Sequence, residues 1–310
     1  VSEPAQLPPP PIVPAATVRR LSLKVTRRLD GLLQGDHLGF LPGPGTEAAD
    51  ARSYQAGDDV RRIDWAITAR TGETHIRTTI AERELETTLV LDLSTSMSFG
   101  TATAEKRDVG IAVAAAFLHM AKGPGDRVGA LLVGNDGIRA LPPRAGSAGA
   151  YATLSAMLRQ PRETGPSGDR LAAALRAAGA RQRRRGLVVV VSDLLEPVEQ
   201  WERPLRTVAA RHDVVVVQVV DRRERELPAV GVLRLVDPDT GREVDVRTNA
   251  KTRERYAEAA AARAEAQRAA VRSAGADHVE VRTEDDWLPQ LARYLTRRRR
   301  TRAVVPAGRA

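Results

Sequence analysis

An open, doubly wound α/β sheet, mostly parallel, is the fold class the sequence predicts. Three observations predict it. Runs of Val and Leu recur as Thr87–Leu93, Leu187–Val191 and Val214–Val220, apolar at consecutive positions rather than at alternate ones. That is the mark of strands covered on both faces. Helix-like segments fall between these runs, as parallel strands need crossover connections. The chain has 310 residues, 42% of them hydrophobic, enough for a core. The length suits two domains, or one large α/β domain with an extension.

Each element follows from local pattern. Residues 1–16 are Pro-rich and polar and read as a disordered tail. Val18, Leu21, Val25, Leu29 and Leu32 recur at steps of three and four, which predicts an amphipathic helix over 18–33. Gly35 to Gly45 is turn-rich, and alternation around Thr74 to Ile80 is strand-like. From Thr87 the order becomes strand 87–93, helix 105–122, strand 127–133, short strand 137–141 ended by Pro142 and Pro143, and helices 148–158 and 169–180. Strand 187–191, helix 198–210 and strand 214–220 follow. Segments 230–236 and 242–246 flank Asp237-Pro-Asp-Thr-Gly241 as a hairpin. Residues 250–274 contain no Gly or Pro and predict one helix of about 37 Å. Strand 278–281 and helix 285–295 close the series. The division expected is a tail 1–16, an N-terminal region 17–85, an α/β domain 86–296 with a hairpin insertion near 228–248, and a basic tail 297–310.

Composition removes several function classes. There is no Cys, hence no disulfide scaffold, thiolate metal site or cysteine nucleophile. Five scattered His give no imidazole-rich metal site. The longest uncharged apolar stretch, Val109 to Ala121, falls short of the ~20 residues a spanning helix needs. Without a signal-like or transit-like N-terminus, a cytoplasmic protein is expected. The net charge is +9. It is clustered at Arg181, Arg183 to Arg185, Arg297 to Arg300 and Arg302. Such clusters can meet nucleic acid, but with only 3% aromatics there is little for bases to stack on. Solvated helix ends are the expectation.

In a doubly wound sheet, ligands bind beyond the carboxyl ends of the strands. The first central strand runs into Asp92-Leu-Ser94-Thr-Ser96, whose oxygen-bearing side chains lie two apart. In an extended segment that spacing turns them the same way. The Val-rich strand ends in Ser192-Asp193, a second carboxylate at the matching end. Between them Gly165-Pro-Ser-Gly-Asp169 offers Ser167 and Asp169. Carboxylates and hydroxyls without sulfur suit Mg2+, Mn2+ or Ca2+. The plainer reading is that Asp92 and its serines only cap the next turn. His119 reads as a packed histidine, and Asp221-Arg222-Arg223-Glu224 after its strand as a solvated turn, or else as a lining of the same crevice.

Asp92-x-Ser94-x-Ser96 with Asp193 resembles the metal-ion-dependent adhesion site of von Willebrand factor A domains. The segments Arg52-Ser-Tyr54, Gly57-Asp58-Asp59-Val-Arg61, Ile63-Asp64-Trp65 and Ala69-Arg70 are similar to the signature of the prokaryotic family called domain of unknown function 58, whose members carry such a block before a von Willebrand A-like domain. The resemblance spans roughly residues 18 to 296. It implies one divalent ion, Mg2+ first and Mn2+ or Ca2+ as alternatives, held by Asp92, Ser94, Ser96 and Asp193. Where the family has a loop Thr, this register lands on Asp169, with Ser167 the ligand if the register slips by two. The block around Trp65 reads either as an ion-pair clasp holding the N-terminal region or as a binding element.

The resemblance also implies a partner. A non-enzymatic adaptor presenting a client protein to a MoxR-type AAA+ ATPase is the function expected. The chain has no Gly-x-x-x-x-Gly-Lys-Ser/Thr loop of its own. A Mg2+-dependent phosphohydrolase with Asp92 as nucleophile is the enzymatic alternative, weakened because no general acid accompanies Asp92. An Arg-tail nucleic-acid-associated protein is the third.

Overall fold

The computed structural model describes residues 28, 51–55, 60, 63–77, 86–101, 104–121, 125–163, 165, 170–236 and 242–303. The expected tail 1–16, the helix 18–33 apart from Arg28, the turn-rich segment 35–45, much of the Gly57 to Trp65 block, residues 78–80, the candidate ligands Ser167 and Asp169, the hairpin turn 237–241 and residues 304–310 lie outside the described residues.

The expected strands assemble into one six-stranded sheet. In chain order they are β3 (Glu86–Asp92), β4 (Arg127–Gly134), β5 (Gly137–Ala145), β6 (Leu187–Ser192), β7 (Asp213–Val220) and β10 (Asp277–Arg282). The spatial order is β10-β7-β6-β3-β4-β5, parallel except for the antiparallel edge strand β5. The numbers β1 (Ala51–Ser53) and β2 (His75–Arg77) denote a separate antiparallel pair, and β8 (Val232–Val236) with β9 (Glu243–Arg247) is the expected hairpin.

A strand's side chains alternate between faces, and here both faces are apolar. Leu89, Leu91, Val189 and Val191 point into one core layer, packed against helices α2 (Lys106–Met120), α3 (Gly146–Arg159) and α7 (Trp287–Ala303). Val90, Val188 and Val190 point into the other, against α4 (Arg170–Arg181), α5 (Val198–Ala209) and α6 (Ala250–Ser273). Helix α1 (Trp65–Thr71) belongs to the N-terminal region.

Two expectations need correction. Strand β5 does not stop at the prolines but runs through them to Ala145. An edge strand tolerates missing N–H groups, and the ladder shifts register between Val128 and Ala130. A Cβ on Gly129 would lie 3.0 Å from the Leu141 carbonyl and 3.1 Å from the Pro143 nitrogen, so glycine makes the room. Helix α7 continues through Arg297 to Ala303, so the basic segment begins as helix. Arg298 is buried there, 3.0 Å from the Asp277 carboxylate and over the Tyr294 ring. Trp65 is 70% exposed; Asp58, Asp59, Arg61 and Arg62, four other members of the expected clasp, lie outside the described residues. Asp64 caps α1, accepting from the N–H groups of Ala66 and Ile67 at 3.1 and 3.2 Å.

Helix α2 lies close to the sheet because of Gly110. A Cβ there would meet Met97 Cε at 3.3 Å, Val191 Cγ1 at 3.4 Å and Leu91 Cδ1 at 3.6 Å. The larger side chain in Gly110→Leu has no space without lifting the helix. It is expected to destabilise the protein by about 1–3 kcal/mol, read as a lower urea midpoint.

Candidate functional site

The chain progresses from β3 outward through β4 to β5, then crosses over and progresses the other way through β6, β7 and β10. The switch point is therefore between β3 and β6, where a doubly wound sheet leaves a crevice at the carboxyl ends. Asp92 ends β3 and Ser192 ends β6.

The Asp92 carboxylate is 6% exposed and fully engaged. Oδ1 accepts from the Ser94 amide at 3.0 Å and the Ser94 hydroxyl at 2.6 Å. Oδ2 accepts from the Ser192 hydroxyl at 2.7 Å. Ser94 Oγ lies 3.3 Å from Ser96 Oγ. The three residues of the Asp-x-Ser-x-Ser motif thus share one polar spot, as the spacing predicts, with a short 3-10 turn at Thr95–Ser98 carrying the last serine. Burial and the charge of Asp193 push the Asp92 carboxyl up from 3.8 to about 6, against the lowering hydrogen bonds from Ser94 and Ser192.

Asp193 is close enough to act on Asp92 but is itself clasped. Its Oδ2 accepts from Lys106 Nζ at 2.7 Å and its Oδ1 from the Leu195 amide at 3.2 Å. Lys106 is wholly buried at the first turn of α2 and also pairs with Glu224. Burial alone would lower its pKa, but Asp193 and Glu224 win and hold it above the usual lysine value. The bend after Asp193 places Leu194 at φ 57°, a left-handed conformation that costs of order 1 kcal/mol for a non-glycine residue. It is held by Gln218, which donates to the Asp193 carbonyl at 3.1 Å, and by Gln267, which donates to the Leu194 carbonyl at 2.6 Å.

The loop bearing Gly165 is tied beside the motif. Thr95 Oγ1 and Asn135 Nδ2 donate to the Gly165 carbonyl at 2.8 and 2.9 Å, and Asn135 Nδ2 also donates to Thr95 Oγ1 at 2.6 Å. The N-terminus of α4 is capped by Glu196, whose Oε1 accepts from the amides of Arg170 and Leu171 at 3.0 and 2.8 Å. Residues on either side of the Ser167–Asp169 stretch are therefore anchored to the Asp92 and Asp193 loops.

Sequence reasoning missed Lys106, Asn135 and Glu196, and misjudged the run from Asp221 to Glu224, preferring a solvated turn to a lining of the crevice. Asp221 is fully buried, not a solvated turn. It accepts from the Thr101 amide and hydroxyl at 2.9 and 2.6 Å and from Thr283 Oγ1 at 2.8 Å. Burial would raise its carboxyl, but these bonds and one from the Arg223 amide hold it below the usual value. It also orients Glu224, whose Oε2 accepts from the Asp221 amide at 3.0 Å in a reciprocal cap. Lys106 had only a weak signal: Lys106 and Arg107 open a helix that is mostly apolar beyond Asp108, at the end where the helix dipole disfavours cations.

Among the described residues, no three His, Cys, Asp or Glu side chains gather in a metal-binding group. What the crevice offers is a hard-oxygen set, one carboxylate and two hydroxyls, beside a second carboxylate. That set fits Mg2+, Mn2+ or Ca2+ rather than zinc or copper.

Residues 50–266 match the family model described as protein of unknown function DUF58. The uncharacterized protein Mb1516 of Mycobacterium bovis is 46% identical over 288 residues, 92% of this chain and 90% of its own length. The uncharacterized protein MAV169 of Mycobacterium avium is 40% identical over 52% of this chain and 94% of its own. Among solved structures, BatB of Bacteroides thetaiotaomicron superposes with a TM-score of 0.45 at 14% identity, over 69% of this chain and 98% of its own. A von Willebrand factor type A protein of Catenulispora acidiphila gives 0.39 at 12% identity, over 72% and 43%. Likenesses this loose say nothing of function.

Two outcomes follow from the electrostatics. Lys106→Met leaves Asp193 and Glu224 buried without their cation and is expected to cost about 3–5 kcal/mol, measured by urea unfolding at neutral pH. In metal-free buffer the raised Asp92 pKa makes the folded state bind more protons than the unfolded state between the two values. Stability is therefore expected to fall as pH rises from about 4 through about 6, by on the order of 1–3 kcal/mol from this group. Asp92→Asn is expected to flatten that part of the curve, read from unfolding midpoints across the range.

Proposed function

The chain belongs to the family of proteins of unknown function DUF58, and from that premise we propose that it is a metal-dependent protein-interaction module, a non-enzymatic adaptor that presents client proteins to a MoxR-type AAA+ ATPase in the cytoplasm, where such an ATPase has its ATP. The observation that carries the reading is the cluster at the switch point. Ser94 stands within hydrogen-bond distance of both Asp92 and Ser96, next to a second buried carboxylate. Asp92, Ser94 and Ser96 would hold a divalent cation, Mg2+ before Mn2+ or Ca2+, with Asp193 beside it and Asp169 from the neighbouring loop. When bound, that cation would offer an open coordination position to an acidic side chain of a partner.

The protein's own residues supply the rest of the mechanism. The hydroxyls of Ser94 and Ser96 are short and set on a tight turn, so they can exchange a hydrogen bond for an ion without moving the backbone. Ser192 fixes the other Asp92 oxygen and keeps the carboxylate from rotating away. Lys106 takes up much of the Asp193 charge, which leaves the crevice less negative toward an incoming carboxylate. The resemblance to von Willebrand A-like proteins that are commonly associated with MoxR-type ATPases supports the choice of partner.

The test has two readouts. Millimolar Mg2+ or Mn2+ is expected to raise the thermal midpoint of the wild type by mass action and to leave Asp92→Ala unmoved. A MoxR-type ATPase is expected in pull-downs from native extract with Mg2+, and absent with chelator or with Asp92→Ala. A midpoint indifferent to both ions removes the metal. Recovery of the ATPase regardless of chelator and of Asp92 removes the metal dependence of binding. Release of phosphate from a phosphate ester, lost in Asp92→Asn, would replace the adaptor with the phosphohydrolase.

A further inference from the structure

Two buried amides stand where their elements otherwise carry apolar side chains. Gln218 interrupts the Val run of β7, and Gln267 is the one polar residue on the buried face of α6. They are only 2% and 3% exposed. Replacing a satisfied buried polar pair by apolar groups of like shape is nearly neutral or stabilising, so stability alone does not call for them. Their contacts do. The carbonyls of Asp193 and Leu194 can only accept. Gln218 Nε2 lies 3.1 Å from the first and Gln267 Nε2 2.6 Å from the second, so both amides are fixed with their nitrogens toward the bend.

That choice dictates the direction of every bond around them. Gln218 Nε2 gives its second hydrogen to Gln267 Oε1 at 2.9 Å, and Gln218 Oε1 is left to accept. His278 Nε2, half-buried on the edge strand β10 and 3.0 Å away, therefore carries the hydrogen that fills it. The direction continues through the bend. The peptide between Asp193 and Leu194 accepts from Gln218 at its carbonyl, and its N–H donates to Ser192 Oγ at 3.1 Å. Ser192 Oγ in turn donates to Asp92 Oδ2 at 2.7 Å. From His278 through Gln218, the bend peptide and Ser192, each link donates toward the Asp92 carboxylate. Bonds aligned in this way polarise and strengthen one another. With the Leu194 amide on its lone pair, the Ser192 hydroxyl keeps its hydrogen on Oδ2, and Asp92 presents Oδ1 on the side of Ser94.

Resting on the cation reading above, we propose that Gln218 and Gln267, with His278 behind them, are positioning residues of the cation site: they set the Asp193–Leu194 peptide, which orders the Ser192 hydroxyl, which holds Asp92 in the orientation that grips a divalent ion. Groups that do not touch a metal but orient its ligands typically change metal affinity by about 10–100-fold when removed. The three come from β7, α6 and β10, so the carboxylate at the switch point is set from the far edge of the sheet.

The test titrates the full chain with Mn2+ and follows the free ion by electron spin resonance. Gln218→Met and Gln267→Met keep the length of the side chain and remove the donor. Each is expected to raise the Mn2+ Kd by about tenfold or more. Leu154→Ala, in the core layer on the opposite face of the sheet, lowers the urea midpoint without touching the chain of bonds and is expected to keep the wild-type Kd. In metal-free buffer, 15N spectra of the wild-type histidine rings are expected to show neutral His278 as the Nε2–H tautomer. A wild type that binds no Mn2+ removes the cation reading and the positioning role with it. A wild type that binds, beside glutamine variants of unchanged Kd, removes the positioning role alone. So does a Leu154→Ala Kd raised as far as theirs, or an Nδ1–H tautomer at His278, which would break the chain at its origin.

Discussion

The buried ammonium of Lys106 is the interaction on which the candidate site depends. It sits between Asp193, at the end of one central strand, and Glu224, in the turn after the next. A lone charge in that position would be untenable, and so would either carboxylate without it. The arrangement persists because each member supplies what the others lack. Lysine rather than arginine suits the place, since a compact ammonium fits between two carboxylates where a planar fork would need more width. In a chain whose cations are nearly all Arg, its occurrence here is itself informative. The pair also fixes where α2 begins, and so how the whole helix lies over the motif turn.

From Lys106 the constraint spreads in two directions. Through Glu224 it reaches Asp221, which binds Thr101 in the segment leading into α2 and Thr283 just beyond β10. Through Asp193 it reaches the strained Leu194 bend and the glutamines that hold it. Asn135 and Thr95 do the same work on the far side, tying the Gly165 loop to the motif, and Glu196 ties the start of α4 to the Asp193 loop. The rim of the crevice is thus a closed set of loops, each hydrogen-bonded to a neighbour. A divalent ion entering it would meet oxygens already close to their final places, which lowers the ordering cost of binding.

How much of this was legible depended on whether the signal was local. The strands were plain because runs such as Leu187–Val191 are apolar on consecutive positions, a pattern forced by burial on both faces. Asp92, Ser94 and Ser96 were legible for a related reason: they follow a strand directly, and their spacing of two survives into the turn. Asp193 was legible as a strand-end carboxylate, but its clasp by Lys106 was not, since the two are 87 positions apart and nothing local to either names the other. Asp221 was misjudged because the charged run after it looks solvated, whereas the sheet buries the first residue and exposes Arg222. Pro142 and Pro143 misled in the opposite sense. They signal a strand's end in general, but an edge strand opposite Gly129 absorbs them.

The clasp also bears on a difficulty in the adaptor reading. Three carboxylates around one divalent ion, as Asp92, Asp193 and Asp169 would provide, bind the ion firmly but leave little positive charge to attract a fourth carboxylate from a partner. Lys106 changes that balance. It pairs with Asp193 Oδ2 and shares its charge with Glu224. An ion bound at the motif would then contend with part of the Asp193 charge rather than all of it. In a low-dielectric crevice even a partial offset weighs far more than it does in water. The same lysine serves folding by making a buried carboxylate tolerable, and on the adaptor reading it would also serve recognition, by keeping the site receptive to an acidic partner.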